Sequence, residues 1–138
     1  MHKLLLASIA AFAGLTAWTG VATAGVFSAT GPVIAILGGD RFEGTAEGRL
    51  DGSGTVRIES RVTPGLTCRG NFTSSAELGG MGSLRCTDGA VVTFTCRRLT
   101  LRRGHGTGTS IRGPLTFTYG LTPAEAEPYL KLAGLNPG

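Results

Sequence analysis

The sequence has few aromatic residues and very few histidines. Aromatic side chains make up 7% of the 138 residues, and the single tryptophan is Trp18. Histidine occurs only at positions 2 and 105, so a cluster of metal-binding histidines is excluded. The three cysteines, Cys68, Cys86 and Cys96, match no zinc-ribbon or CxxC spacing. We therefore expect neither a metal centre nor a cofactor.

A long apolar run is absent after residue 24. Before it, His2 and Lys3 precede an apolar stretch at positions 4–17, and Ala22-Thr23-Ala24 fits the small-x-small cleavage rule. The pattern predicts a signal peptide at 1–24, cleaved after Ala24, and a periplasmic or secreted protein. A membrane-spanning helix fits less well, because a span needs about 20 apolar residues. We expect no transmembrane segment in the mature chain, whose formal charge falls from +4 to +3 with Lys3.

Glycine, by contrast, is abundant, with 23 residues, whereas the average protein has about 7%. Because glycine costs a helix interior about 1 kcal/mol per position, this composition disfavours helix bundles. Gly-x-Gly steps recur at 52–54, 80–82 and 104–106, and equivalent runs start at 42, 68 and 94, each 26 residues apart. The alternating, Thr-rich segments around these steps are typical of β-hairpins.

The predicted fold is all-β: an antiparallel meander of repeated hairpins at 25–121, forming a small barrel or roll, with a C-terminal helical or irregular tail at 122–138. Whether the meander closes is left open. Segments 31–37, 56–62 and 115–120 are further predicted strands. Thr122, Pro123 and Glu125 fit the N-cap, N1 and N3 positions of a helix, which Pro128 is expected to keep short. Three apolar residues are expected to pack the tail onto the sheet: Tyr129, Leu130 and Leu132.

The second hairpin can be placed in register. Pairing 68–74 antiparallel with 80–86 sets Cys68 opposite Cys86 and Phe72 opposite Gly82, where a ring can cover bare backbone. A three-residue loop at 88–90 then places Cys86 opposite Val92. One face of this sheet is apolar and comprises Phe72, Leu84, Cys86, Val92, Phe94 and Cys96.

Candidate catalytic residues are sparse, and we predict a non-enzymatic protein without catalytic residues. His105 is the only histidine after the leader and lies in a Gly-His-Gly turn. Glu43 and Glu47 lie about 13 Å apart if they share a strand face, which is too far for a glycosidase pair. No GxGxxG motif follows a strand and opens a helix. The alternative is a small periplasmic hydrolase or inhibitor that uses loop residues around His105.

Five arginines form a basic cluster in the sequence, and they can be interpreted in two ways. They could bind an anionic envelope component, or they could protect a sheet edge from aggregation, which is the more common role of such charges. We do not expect nucleic acid as a partner, because no aromatic residues are interleaved for base stacking. The cluster comprises Arg97, Arg98, Arg102, Arg103 and Arg112.

These motifs together resemble small exported glycine-rich β-repeat proteins of bacteria, and more distantly MORN hairpin repeats. The motifs are Phe42-x-Gly44, Leu50-Asp51-Gly52-Ser53-Gly54-Thr55, Thr67-Cys68-x-Gly70, Gly82-x-Leu84-x-Cys86-x-Asp88-Gly89, Gly104-x-Gly106-x-Gly108 and Thr116-Phe117-Thr118-Tyr119-Gly120. The resemblance implies a cell-envelope location and a β-meander, and it implies no catalytic residues. We expect a structural role, or the binding of a ligand or of another protein.

The register generates a testable prediction about the cysteines. Direct opposition favours a Cys68–Cys86 disulfide with Cys96 reduced and buried, because a residue two rows away exceeds the roughly 7 Å Cα limit. The other possibility is that all three are small buried thiols. Mass spectrometry of non-reduced peptides is expected to show the Cys68–Cys86 link. A peptide linked through Cys96 would contradict the register.

Overall fold

The computed structural model describes residues 28–75 and 79–134. In these residues, eight strands follow one another as an antiparallel meander, and the last strand pairs with the first to close a barrel. The all-β prediction is confirmed, and the meander is closed. The predicted signal peptide lies outside the described residues. The strands are β1 Ser28–Leu37, β2 Asp40–Arg49, β3 Ser53–Ser60, β4 Thr67–Ser75, β5 Gly79–Cys86, β6 Val91–Thr100, β7 Arg103–Ser110 and β8 Gly113–Tyr119.

Inward-facing residues fill one end of the barrel, which we call the closed end. Leu37 and Phe42 lie inside it next to the β1–β2 turn, and both are fully buried. Ile58 and Leu115 pack into the same cluster from β3 and β8. The predicted alternation is confirmed here, because large apolar side chains point inward while their neighbours along each strand point outward.

The β4–β5 hairpin has the predicted register. Cys68 lies opposite Cys86, and the two form a disulfide. Cys96 is a free cysteine and half-buried, rather than fully buried as its face predicted. The disulfide lies in the core cluster of the closed end, where it links two neighbouring strands.

The β5–β6 register differs from the prediction by two residues. Leu84, and not Cys86, lies opposite Val92. The three-residue loop starts one residue earlier, at 87–89, because the Cys86 amide already bonds the Ala90 carbonyl and an Asp88 carboxylate oxygen accepts from the Ala90 amide. A shift of two keeps every side chain on its predicted face, since strands alternate with a period of two.

Three inward glycines are covered by phenylalanine rings, although Gly82 is not covered by the ring that the sequence predicted for it. Phe72 pairs with Gly82, but its ring lies over Gly54 of β3, and the Phe94 ring covers Gly82 instead. Each of these rings lies over a glycine of the strand that precedes its own. A Cβ atom built on the glycine would lie 2.2 Å from Cζ of the ring at Gly54–Phe72, 2.7 Å at Gly82–Phe94 and 2.5 Å at Gly106–Phe117.

One helix, α1 (Pro123–Gly134), follows the barrel. Its capping box is as predicted, with the Glu125 amide donating to Thr122 Oγ1 at 3.2 Å and the Thr122 amide donating to Glu125 Oε1 at 2.9 Å. The helix is short, as expected, and it continues past Pro128 to Gly134. The buried residues Ala126 and Leu130 anchor it on the outer face of the barrel against Ile34, and this packing outweighs the loss of one helical hydrogen bond. Tyr129 and Leu130 pack as predicted, whereas the side chain of Leu132 is not described.

The glycine–ring contacts predict that Gly82→Ala is destabilising. Its Cβ atom would lie 2.3 Å from the Asn71 carbonyl oxygen and 2.7 Å from Cζ of Phe94, so backbone and ring must both shift. We expect a loss of about 1–3 kcal/mol in unfolding free energy, measured by urea titration. Gly48→Ala is the matched control, because no atom lies within 4 Å of the added Cβ. Equal effects of the two substitutions would contradict this account.

Candidate ligand-binding cavity

The other end of the barrel, which we call the open end, contains a cavity of about 400 Å³. It lies where β1 begins and β8 ends, beneath the β2–β3 and β6–β7 turns. An eight-stranded barrel is just wide enough either to fill with side chains or to hold one small ligand. In this barrel, side chains fill the closed end and the cavity occupies the open end.

Small side chains produce the cavity. Along β1 and β2 the inward positions at the open end are Ala29, Gly31, Ala46 and Gly48, and all four line the cavity. Further along the same two strands, the inward positions include Val33, Leu37 and Phe42, which are buried in the core of the closed end. Phe72, Phe94 and Phe117 form the cavity's apolar floor and wall.

A polar corner of three residues interrupts this apolar wall: Arg98 of β6, Ser74 of β4 and Tyr119 of β8. An Arg98 Nη2 hydrogen donates to Ser74 Oγ at 2.9 Å, and the guanidinium also hydrogen-bonds the Tyr119 phenol. The β6–β7 register shifts directly after Arg98, between Arg98 and Thr100. Such a bulge ends regular pairing and re-aims side chains at a barrel rim.

The titratable groups beside Arg98 are held neutral. Burial raises the pKa of the Tyr119 phenol above its usual 10, and the neighbouring Cys96 raises it further. Burial likewise raises the pKa of the Cys96 thiol, which lines the same cavity. Near neutral pH, therefore, Arg98 carries the charge in this part of the wall.

The rim of the cavity is charged and partly apolar. Arg49, Asp51 and Arg102 line it, together with Leu50 and Leu101, whose surfaces are 76% and 73% exposed. The Asp51 carboxylate accepts from the hydroxyl and the amide of Ser53, and these hydrogen bonds lower its pKa. Asp51 is thus ionised at the rim, and its carboxylate is hydrogen-bonded to Ser53 within the same turn.

The five arginines that cluster in the sequence do not form one surface. Arg98 points into the cavity and Arg102 lines its rim, whereas Arg97 points outward and is exposed. Arg103 is paired with Glu125 of α1. Arg112 lies at the closed end in an ion pair with Asp88. The fold therefore brings two of the five together at the cavity.

His105 lies on the outer wall, away from the cavity lining. Its ring stacks on Tyr129 of α1 with centroids 4.4 Å apart. The residues of the two described segments contain no group of three or more His, Cys, Asp or Glu placed to hold a metal ion. Glu43 and Glu47 also point outward, and each lies within 4 Å of an arginine: Arg41 at 2.9 Å and Arg49 at 3.9 Å.

Sequence reasoning placed Arg98 in a basic cluster and missed its inward direction. The signal was present, because Arg98 continues the series Val92, Phe94 and Cys96 at a spacing of two. Tyr119 likewise continues the series of Leu115 and Phe117. The cavity itself had no such signal, because small inward residues are equally compatible with a collapsed roll.

The stacked imidazole generates a pH prediction. Burial, and then the charge of Arg97, lower the pKa of His105 below its usual 6.5. Protonation therefore opposes folding, so the free energy of unfolding falls as the pH drops below about 6.5. NMR titration is expected to give a midpoint below 6.5, and Tyr129→Ala is expected to raise it. Thr107→Ala, on the exposed side of the same strand, is the control, and a wild-type midpoint at or above 6.5 would contradict the prediction.

Comparison with known proteins identifies no relative. No protein-family model matches the chain, and neither the curated proteins nor the solved structures contain a significant match. The likeness to exported glycine-rich β-repeat proteins therefore stays a prediction.

Proposed function

We propose that the protein is a non-enzymatic binding protein that holds one small, largely apolar molecule inside the open end of its barrel. The observation that carries the proposal is the cavity of about 400 Å³, open to solvent at one end and walled by three phenylalanines. Small-molecule sites are typically concave spaces of about 300–1,000 Å³ with an apolar lining and a few placed polar groups. This cavity has all of those properties.

The distribution of residue sizes supports binding over a purely structural role. A barrel that served only as a scaffold would gain stability from large apolar side chains at the open end, as it does at the closed end. Instead, Ala29, Gly31, Ala46 and Gly48 leave the space empty. The closed end contains the disulfide and the fully buried core, so it can keep the wall rigid while the open end accepts a ligand.

The proposed location is the periplasm or the exterior, after removal of residues 1–24. The Cys68–Cys86 disulfide is compatible with an oxidising compartment. In the part of the chain that the structure describes, no helix has the length and apolar character to cross a membrane. Mass spectrometry of the exported protein would test this location by identifying its N-terminus.

Binding can be tested with an apolar fluorophore, N-phenyl-1-naphthylamine, titrated into the purified protein. We expect saturable binding at one site per chain. Gly48→Trp projects an indole into the cavity, where nothing lies within 4 Å of its Cβ position, and is expected to weaken binding at least about tenfold. Thr45→Trp is the matched control, because it adds the same side chain to the exposed face of the same strand.

A second measurement keeps the test independent of how well Gly48→Trp folds. Cys96 is the free cysteine of the described residues and lines the cavity. In the wild-type protein, bound fluorophore is expected to slow alkylation of this thiol. If the fluorophore does not bind, or if it binds the Gly48→Trp variant and the wild-type protein equally, the cavity is not a binding site.

A further inference from the structure

The polar corner lies among apolar residues, and its three members contact one another. Arg98 reaches Ser74 across the barrel interior at 2.9 Å and also hydrogen-bonds Tyr119. These residues come from β6, β4 and β8, which are not neighbours in the barrel. All three residues line the cavity, so the contact among these separated strands forms inside the lumen.

The polar corner has more hydrogen-bond donors than acceptors. A guanidinium has five N–H donors and no acceptor. Ser74 and Tyr119 accept from Arg98, and each keeps its own O–H group as a donor. The corner therefore presents an excess of hydrogen-bond donors to any molecule in the cavity. A ligand group that accepts hydrogen bonds is complementary to it.

The positive charge of Arg98 is also not balanced by a carboxylate of the described residues. The ion pairs among residues 28–75 and 79–134 engage Arg41, Arg49, Arg57, Arg103 and Arg112, and do not include Arg98. Of the described residues that line the cavity, Asp51 is the carboxylate, and it bonds Ser53 at the rim. A half-buried arginine in an apolar wall is stabilised by an anionic partner, because its charge is less well solvated than at the surface.

We propose that the polar corner binds the carboxylate of a small amphipathic acid, whose apolar part occupies the rest of the cavity. This inference rests on the proposed binding function and adds the class of ligand. The planar fork of an arginine matches the two oxygens of a carboxylate. One inward arginine offsets a single negative charge, so a monoanionic carboxylate fits better than a doubly charged phosphate group.

The rim fits the same ligand class. Arg102 lies at the opening, outside the ion pairs of the described residues, and adds positive charge that attracts an anion toward the cavity, whereas Arg49 beside it is paired with Glu47. Leu50 and Leu101 expose apolar surface at the two described turns of the open end, where an alkyl chain would first make contact. Charge and apolar surface thus occur together at the entrance, as they do inside.

The test compares two ligands of equal chain length, decanoate and decan-1-ol, by displacement of bound N-phenyl-1-naphthylamine at pH 7.5. The wild-type protein is expected to bind decanoate at least about tenfold more tightly, because hydrogen bonds to charged groups are stronger than neutral ones. Arg98→Met is expected to weaken decanoate binding at least about tenfold and to leave decan-1-ol within about threefold.

Arg97→Met provides the matched control. It removes the same charge from the adjacent position of the same strand, but on the outward, exposed face. Decanoate affinity is expected to stay within about threefold of wild type, which separates contact inside the cavity from a general effect of net charge. If Arg98→Met does not fold, Tyr119→Phe removes one donor from the corner and is expected to weaken decanoate alone.

The outcomes separate the ligand class from the binding function. Equal affinity of the wild-type protein for decanoate and decan-1-ol overturns the proposal while leaving the cavity as a binding site. A preference for decanoate that Arg97→Met abolishes as fully as Arg98→Met also overturns it, because the preference would then be a surface effect. Failure of the fluorophore itself to bind overturns the proposed function, and the ligand class with it.

Discussion

Aromatic rings on alternate strands lie over glycines of the strands beside them, and the closure of the barrel wall depends on these contacts. Gly54, Gly82 and Gly106 all point inward, where any larger residue would meet both a ring and a carbonyl oxygen of the neighbouring strand. The glycines let the wall curve tightly, and the rings replace the apolar surface that glycine does not provide. A chain with 7% aromatic residues can thereby line a lumen, because most of the rings in its described residues lie inside the barrel.

The same constraint explains why the barrel has two different ends. Rings from β4, β6 and β8 occupy the middle of the lumen and separate the closed end from the cavity. On the side of the closed end, the side chains of Leu37, Phe42 and Ile58 are fully buried. On the side of the open end, alanine and glycine line the wall, so the interior widens toward solvent. The packing therefore produces both the rigidity and the space that a binding site requires.

The sequence was sufficient to predict the strands, the faces and one register, because each depends on local alternation. The β4–β5 pairing followed from matching Cys68 and Phe72 to their partners, and the structure agrees. The β5–β6 pairing did not, since the turn stabilised by the Asp88 side chain starts one residue earlier than the assumed loop. Barrel closure could not be predicted either, because the β1–β8 pairs join residues that are 78 to 86 positions apart in the sequence.

The adjacent arginines of β6 show the limit of reading charge from sequence alone. Arg97 and Arg98 look equivalent in a basic run, but a strand turns consecutive side chains to opposite faces. Arg97 faces solvent, where a charge costs little. Arg98 faces phenylalanines, where a charge is retained only with compensation. Ser74 and Tyr119 supply hydrogen-bond acceptors but no negative charge. The remaining charge of Arg98 is what distinguishes this cavity from a simple packing defect, and it is the reason to assign the cavity an anionic ligand.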